Sequence, residues 1–236
     1  MYQMEGRIRY SECGKNNKAT IATLINYFQD CTSENSERSG VGVEYLKNKK
    51  RAWILNSWQV FVKRMPVMSE EIVVSTWATG FQGVFGPRDF TMETKDGEQL
   101  ACAHTLWVYV DTETGRPTKP DEEEMQAYYV GEPLPIEILS RKIKFPEGAV
   151  TVDTFSVHQY HIDTNHHVNN GKYIEMASEV LPEDFVLTSL RVEYKKAAVY
   201  GDTLILKCVK EGNHIFATLC DEKEAPYAIV EFIGED

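Results

Sequence analysis

Cysteine is scarce in this chain and follows no pairing pattern: Cys13, Cys31, Cys102, Cys208 and Cys220 are scattered, odd in number and free of any Cys-x-x-Cys. That distribution argues against a disulfide framework or a cysteine-based zinc site and points to a reducing compartment. Long apolar runs are missing as well. No stretch approaches the ~20 residues of a membrane span. The segment Met1 to Tyr10, with Glu5, Arg7 and Arg9, lacks an apolar signal core, so a cytoplasmic protein without a membrane span is expected. Basic residues are outnumbered, 25 Lys and Arg against 36 Asp and Glu, for a net charge of -11. Phosphate backbones would be repelled by that balance, which disfavours a nucleic-acid partner. Local basic runs do occur at Lys47 to Arg51, at Arg141, Lys142 and Lys144, and at Lys195 and Lys196. Screening over about 8 Å at physiological salt would let such a run meet an acidic surface.

What is present is an ordinary globular composition, 42% hydrophobic and 26% charged over 236 residues, enough for one large or two modest domains. The chain also contains itself twice. Trp53 to Trp77 matches Phe185 to Val209 at a constant offset of 132, with Ser57 on Ser189, Val60 on Val192 and Lys63 on Lys195. A second block continues at an offset of 126, Phe90 on Phe216 and Asp96-Gly97 on Glu222-Lys223, the change falling in a longer first-copy loop at Gly80 to Gly86. Upstream of each block lies a helical pattern, Ile21, Leu24, Ile25, Phe28 and Cys31 in one and Tyr173, Ala177, Val180 and Leu181 in the other, where Pro182 ends the run. One helix followed by consecutive antiparallel strands, twice, is an α+β pattern in which a sheet wraps its apolar face around the helix. The expected organisation is a first domain over 1–120, a linker over 121–147 rich in proline and acid, and a second domain over 148–236.

The two copies differ in chemistry. Only the second carries Asp163, Asn165 and His167, at every second position ahead of the predicted helix. If the segment is extended, the three side chains share one side, at a helix N-terminus where free N–H groups and the helix dipole stabilise a developing oxyanion. Imidazole is a free base near neutral pH, so the set suits activation of water against a carbonyl. The same spacing also fits a plain polar loop with Asn169 or Asn170 as N-cap. His158, Asp163 and His167 are the residues a metal would need, but no cysteine and no helical His-x-x-x-His pair accompany them, and no metal or other cofactor is expected. The first copy holds all four tryptophans, Trp53, Trp58, Trp77 and Trp107, as either core filler or the wall of an apolar pocket.

The run Asp163-Thr164-Asn165-His166-His167-Val168-Asn169-Asn170-Gly171-Lys172-Tyr173 resembles the signature of acyl-acyl carrier protein thioesterases. Support comes from Val192-Glu193-Tyr194-Lys195-Lys196, Trp53-Ile54-Leu55, Thr76-Trp77, Arg88-Asp89-Phe90, and Trp107 with Asp111 and Arg116-Pro117, so the likeness covers nearly the whole chain. It implies two tandem hot-dog domains, each a long helix in a curled antiparallel sheet, and hydrolysis of acyl-acyl carrier protein to free fatty acid and carrier. An acyl-coenzyme A thioesterase and a non-catalytic acyl-chain or acyl-carrier binding module are the alternatives. The resemblance gives His167 the proton of the attacking water, Asn165 a hold on water or carbonyl, and Asp163 the orientation of its neighbours. Trp53, Trp58, Asn169 and Asn170 would bind substrate, and Lys195, Lys196, Arg141 and Lys142 would dock the acidic carrier. A homodimer is left open, because two copies in one chain can satisfy their pairing internally. One departure stands out: relatives commonly carry a glutamate after the Tyr-(Lys/Arg)-(Lys/Arg) triplet, followed in plant forms by a cysteine, whereas this chain has Ala197 and Ala198. Glu175 is the nearest substitute acid in sequence.

Overall fold

In the computed structural model, which describes residues 1–235, the chain divides into two compact units, one of residues 1–56 with 62–138 and the other of 57–61 with 139–236. The first unit holds β1 (Tyr2–Arg7), α1 (Ile21–Arg38), α2 (Val43–Lys49), most of β2 (Arg51–Val62), β3 (Glu71–Ala78), β4 (Phe85–Thr94), β5 (Gln99–Asp111), the two-residue β6 (Arg116–Pro117) and α3 (Glu122–Gln126). Its strands follow the order β1-β3-β4-β5-β2, with β6 on β5, and every strand pair for which a register is given is antiparallel. Thr20 caps α1 by accepting the Thr23 N–H at 3.1 Å, a bond worth about 1 kcal/mol in such positions. Leu24, Ile25, Phe28 and Cys31, the residues that predicted the helix, are all buried, and Phe28 meets Phe90 of β4 with ring centroids 5.2 Å apart. The helix runs on to Arg38, beyond the apolar pattern, because its later turns hold polar contacts instead, such as Ser36 Oγ to Tyr128 Oη at 3.0 Å. Gly97, at φ 89°, makes the predicted turn between β4 and β5.

The second unit repeats the plan with β7 (Val150–Ser156), α4 (Asn170–Ala177), β8 (Leu187–Tyr194), β9 (Thr203–Glu211), β10 (His214–Cys220) and β11 (Pro226–Gly234). Its order is β8-β11-β10-β9-β7, and Ser57–Phe61 of β2 pairs with β8, Trp58 opposite Val192. α4 packs on β10 and β11. The repeat read from the sequence thus corresponds to β2 and β8, β3 and β9, β4 and β10, β5 and β11. An α+β fold of two tandem hot-dog domains is what results.

Residues 121–147, expected as linker, are tied down along their length. In the first unit the Leu134 N–H donates to Asp89 Oδ2 at 2.7 Å, while Asp89 Oδ1 meets His104 Nδ1 at 2.7 Å, and the Trp77 indole donates to the Glu132 carbonyl at 2.8 Å. In the second unit the Leu139 N–H donates to Gln59 Oε1 and the Ile143 N–H to Glu193 Oε2, both at 2.9 Å. Buried strand side chains supply partners for chain whose own composition predicted only exposure. No helix among the described residues is long and apolar enough to cross a membrane.

Candidate functional site

Ahead of α4 the chain makes a short 3₁₀ turn, Gln159–His161, and then a tight loop. The Asp163 N–H donates to the His167 carbonyl at 2.8 Å and the His166 N–H to the Asp163 carbonyl at 3.0 Å, with Ile162 and Val168 bridged antiparallel behind them. His166 takes φ 62° to turn the corner. The expectation of an extended segment therefore fails, because the chain folds back between 163 and 167. Asp163 and His167 still reach one side, by standing opposite each other across the turn, as facing residues of an antiparallel pair do. Asn165 sits at the tip and is exposed; its own N–H is held by Asp163 Oδ1 at 2.8 Å. His167 is exposed and Asp163 half-buried, and no hydrogen bond joins the side chains of Asp163, Asn165 and His167 among the described residues.

Three neighbours hold this loop in place. The Asn169 N–H donates to the His161 carbonyl at 2.9 Å, and Asn169 Oδ1 caps α4 on the Gly171 N–H at 2.8 Å. The Asn170 carbonyl accepts from the Tyr194 hydroxyl at 2.9 Å. The Val168 N–H donates to the Ala198 carbonyl at 2.9 Å, and the Ala198 N–H in turn donates to the buried Tyr173 hydroxyl at 2.7 Å. Burial pushes the Tyr173 phenol up to about 12, so it stays a neutral partner at working pH. His161 is buried and accepts the His158 N–H on Nδ1 at 3.1 Å; burial first, then His158 and Lys172, hold its pKa below the usual histidine value.

The first unit carries the same loop with other side chains. The Gly14 N–H donates to the Lys18 carbonyl at 2.9 Å, the Asn17 N–H to the Gly14 carbonyl at 3.1 Å, and Asn17 has φ 58°. Cys13 and Ala19 form the bridge, the Thr20 N–H reaches the Glu12 carbonyl at 3.1 Å, and the Ala19 N–H reaches the Pro66 carbonyl at 2.8 Å. Each bond has its counterpart around Asp163 to Asn169. Gly14 stands for Asp163, Asn16 for Asn165 and Lys18 for His167, so the frame is duplicated and the acid and base are present in one copy only. With a single identity in the loop, only an alignment started from the two helix caps, Thr20 and Asn169, exposes this twin in the sequence.

The other predicted residues are dispersed. Trp53, in the first unit, lies against Tyr109 at 4.8 Å and donates its indole N–H to Glu124 at 2.8 Å. Trp58 is not part of that unit: β2 places it, 2% exposed, in the second. Asn169 and Asn170 serve as cap and first residue of α4. Lys195 pairs with the buried Glu193 at 2.6 Å, and Lys196 with Asp221 at 2.5 Å over the Tyr227 ring, so each lysine already has an acid. Arg141 and Lys142 are exposed. Glu175 is exposed and pairs with Lys172 at 2.7 Å. Burial raises the Cys208 and Cys220 thiols, which removes both as ready nucleophiles.

Comparison with known proteins assigns the whole arrangement to a family. The model of the acyl-ACP thioesterase N-terminal domain matches residues 1–128 and that of the C-terminal domain residues 146–225. A palmitoyl-acyl carrier protein thioesterase of Cuphea hookeriana is 29% identical over 217 residues, covering 83% of this chain and 51% of its own, and a dodecanoyl-[acyl-carrier-protein] hydrolase of Umbellularia californica is 27% identical over 91% of this chain and 61% of its own. The chain thus spans about half the length of the first of these curated relatives. Among solved structures, an acyl-ACP thioesterase from Bacteroides thetaiotaomicron shares the fold with a TM-score of 0.91 at 23% identity, over 99% of this chain and 97% of that one. With one domain model on each half and the duplicated helix-and-sheet plan beneath them, this chain belongs to the acyl-ACP thioesterase family.

Proposed function

We propose that the protein hydrolyses the thioester of acyl chains borne on acyl carrier protein, releasing free fatty acid and carrier. The observation that carries this reading is the loop at the head of α4, where Asp163 and His167 oppose each other inside the region matched by the C-terminal thioesterase domain. In the step proposed, His167 takes a proton from water as the oxygen adds to the thioester carbonyl carbon. The oxyanion forms beside the helix N-terminus, whose dipole favours it, and Asn165 at the loop tip offers an amide to water or carbonyl. Asp163 favours the imidazolium. Collapse breaks the C–S bond, and the imidazolium returns its proton to the departing thiolate.

The carrier would approach the exposed Asn165 to His167 edge. Arg141, Lys142, Lys195 and Lys196 would be the cationic contacts for it, and Lys195 and Lys196 would have to exchange their present acids. In the first unit, Trp53, beside Tyr109, would line the acyl site. Purified protein given acyl carriers of graded chain length should release free fatty acid, and coenzyme A thioesters run beside them at low and high salt should show the weaker salt dependence. Absence of release from every acyl carrier would end the proposal; equal rates and salt responses for both carriers would move it to acyl-coenzyme A.

A further inference from the structure

The acidic run Asp121 to Glu124 contains a residue that behaves unlike its neighbours. Asp121, Glu122 and Glu123 are exposed, whereas Glu124 is 0% exposed. Its Oε1 accepts the Trp53 indole N–H at 2.8 Å, and its Oε2 is buried without a hydrogen-bond partner among the described residues. The titratable groups around it come from three directions: Tyr45 and Lys49 of α2, Tyr109 of β5, and Asp121, Glu123 and Tyr128 of its own segment. Lys49, the one cation named in that set, is already bound to Asp121 at 3.0 Å, Glu123 at 2.7 Å and the Tyr45 hydroxyl at 2.5 Å. An ionised carboxylate with one dry, unpaired oxygen is a costly arrangement, and a neutral carboxyl removes most of the penalty. Burial accordingly pushes the Glu124 carboxyl above the usual glutamate value, Asp121 and Glu123 push the same way, and Trp53 and Lys49 oppose them.

We propose that Glu124 docks as the neutral acid and makes α3 a proton-controlled latch over Trp53, closed while the carboxyl keeps its proton and released when the proton leaves to solvent. The chain beyond α3 keeps its own anchors, Tyr128 on Ser36 and the Gly131 N–H on the Ala78 carbonyl at 2.9 Å, so the opening is confined to α3. The direction follows from linkage: a group whose docked pKa is raised holds the docked state at low pH and loses it as pH rises. Between the free and the docked pKa of the carboxyl, the opening constant grows about tenfold per pH unit and then levels off.

Hydrogen exchange of the peptide covering 121–128, read from about pH 5 to about pH 9 on the full chain and on Glu124→Gln, tests this; comparing the two at equal pH cancels the intrinsic exchange rate. At the acid end they should match. Toward the alkaline end the natural protein should lose at least about tenfold in protection relative to the glutamine variant. A ratio that does not change with pH overturns the latch. Should the variant fail to dock α3 at any pH, the natural protein alone decides: α3 protection normalised to that of α1 must fall with pH, and a flat ratio rejects the proposal. Neither measurement involves substrate, so its outcome is separate from the thioesterase reading.

Discussion

The Asp163 N–H donates to the His167 carbonyl at 2.8 Å, and this one backbone bond brings the two side chains to opposite ends of a single turn. The equivalent bond between Gly14 and Lys18, at 2.9 Å, closes the same turn in the first unit around residues that can do no acid–base chemistry together. Geometry is thus shared by both halves, and the candidate acid and base stand in one.

Replacing His167 with alanine removes the base of the proposed step without touching the backbone bonds of the turn. The expected loss in kcat is at least about 100-fold, with the circular dichroism spectrum and melting temperature retained. A rate within threefold of the natural protein, on the same scale, would take His167 out of the mechanism.

Ala197 offers a gain instead of a loss. Val168 and Ala198, joined by their backbone bond, are both buried, whereas His167 and Ala197, one residue away on each side, are both exposed. An acid introduced as Ala197→Glu should raise kcat by about tenfold, a fraction of what a positioned acid or base can supply. Steady-state kinetics on an acyl carrier substrate would decide it; an unchanged kcat means that position 197 does not reach the reacting atoms.

Tyr173→Phe deletes the oxygen that satisfies the buried Ala198 N–H. An orphaned buried donor costs about 1–3 kcal/mol, visible as a lower urea midpoint at unchanged m-value. Because Ala198 also holds Val168, kcat should fall with it. Stability unchanged within about 0.5 kcal/mol would mean that water replaces the hydroxyl.

His161 supplies a pH dependence. Burial holds its pKa below the ordinary 6.5, so it folds neutral, with Nδ1 accepting from His158. A histidine depressed in the folded state contributes stability that is complete above the unfolded value and is lost as pH falls through the folded one. The melting temperature should therefore drop on acidification below about pH 6.5. His161→Gln, which keeps an acceptor but not a titrating ring, should flatten that limb; parallel curves for the two proteins would assign the drop to other groups.

The amino-acid sequence determined by itself what depends on local spacing and on resemblance at a distance along the chain. Ile21 to Cys31 and Tyr173 to Leu181 step at helical intervals, strands separated by turns such as Asp96-Gly97 follow them, and the offset match of Trp53 to Trp77 with Phe185 to Val209 declares two copies of one plan. Asp163, Asn165 and His167 could be singled out as candidates too, because their types suit the chemistry. The turn that carries them was not legible, since a positive φ at His166 is held in place by the bond from Asn169 to His161 and by the bond from Val168 to the Ala198 carbonyl, which lies far along the chain. The fate of 121–147 was hidden for a similar reason. Its proline and acid describe exposed chain, and only the folded sheets provide Asp89, Gln59 and Glu193 as partners for its N–H groups and Trp53 as a partner for Glu124. Propensity and periodicity act within a few residues, whereas the burial of a polar group depends on what the rest of the chain brings to meet it.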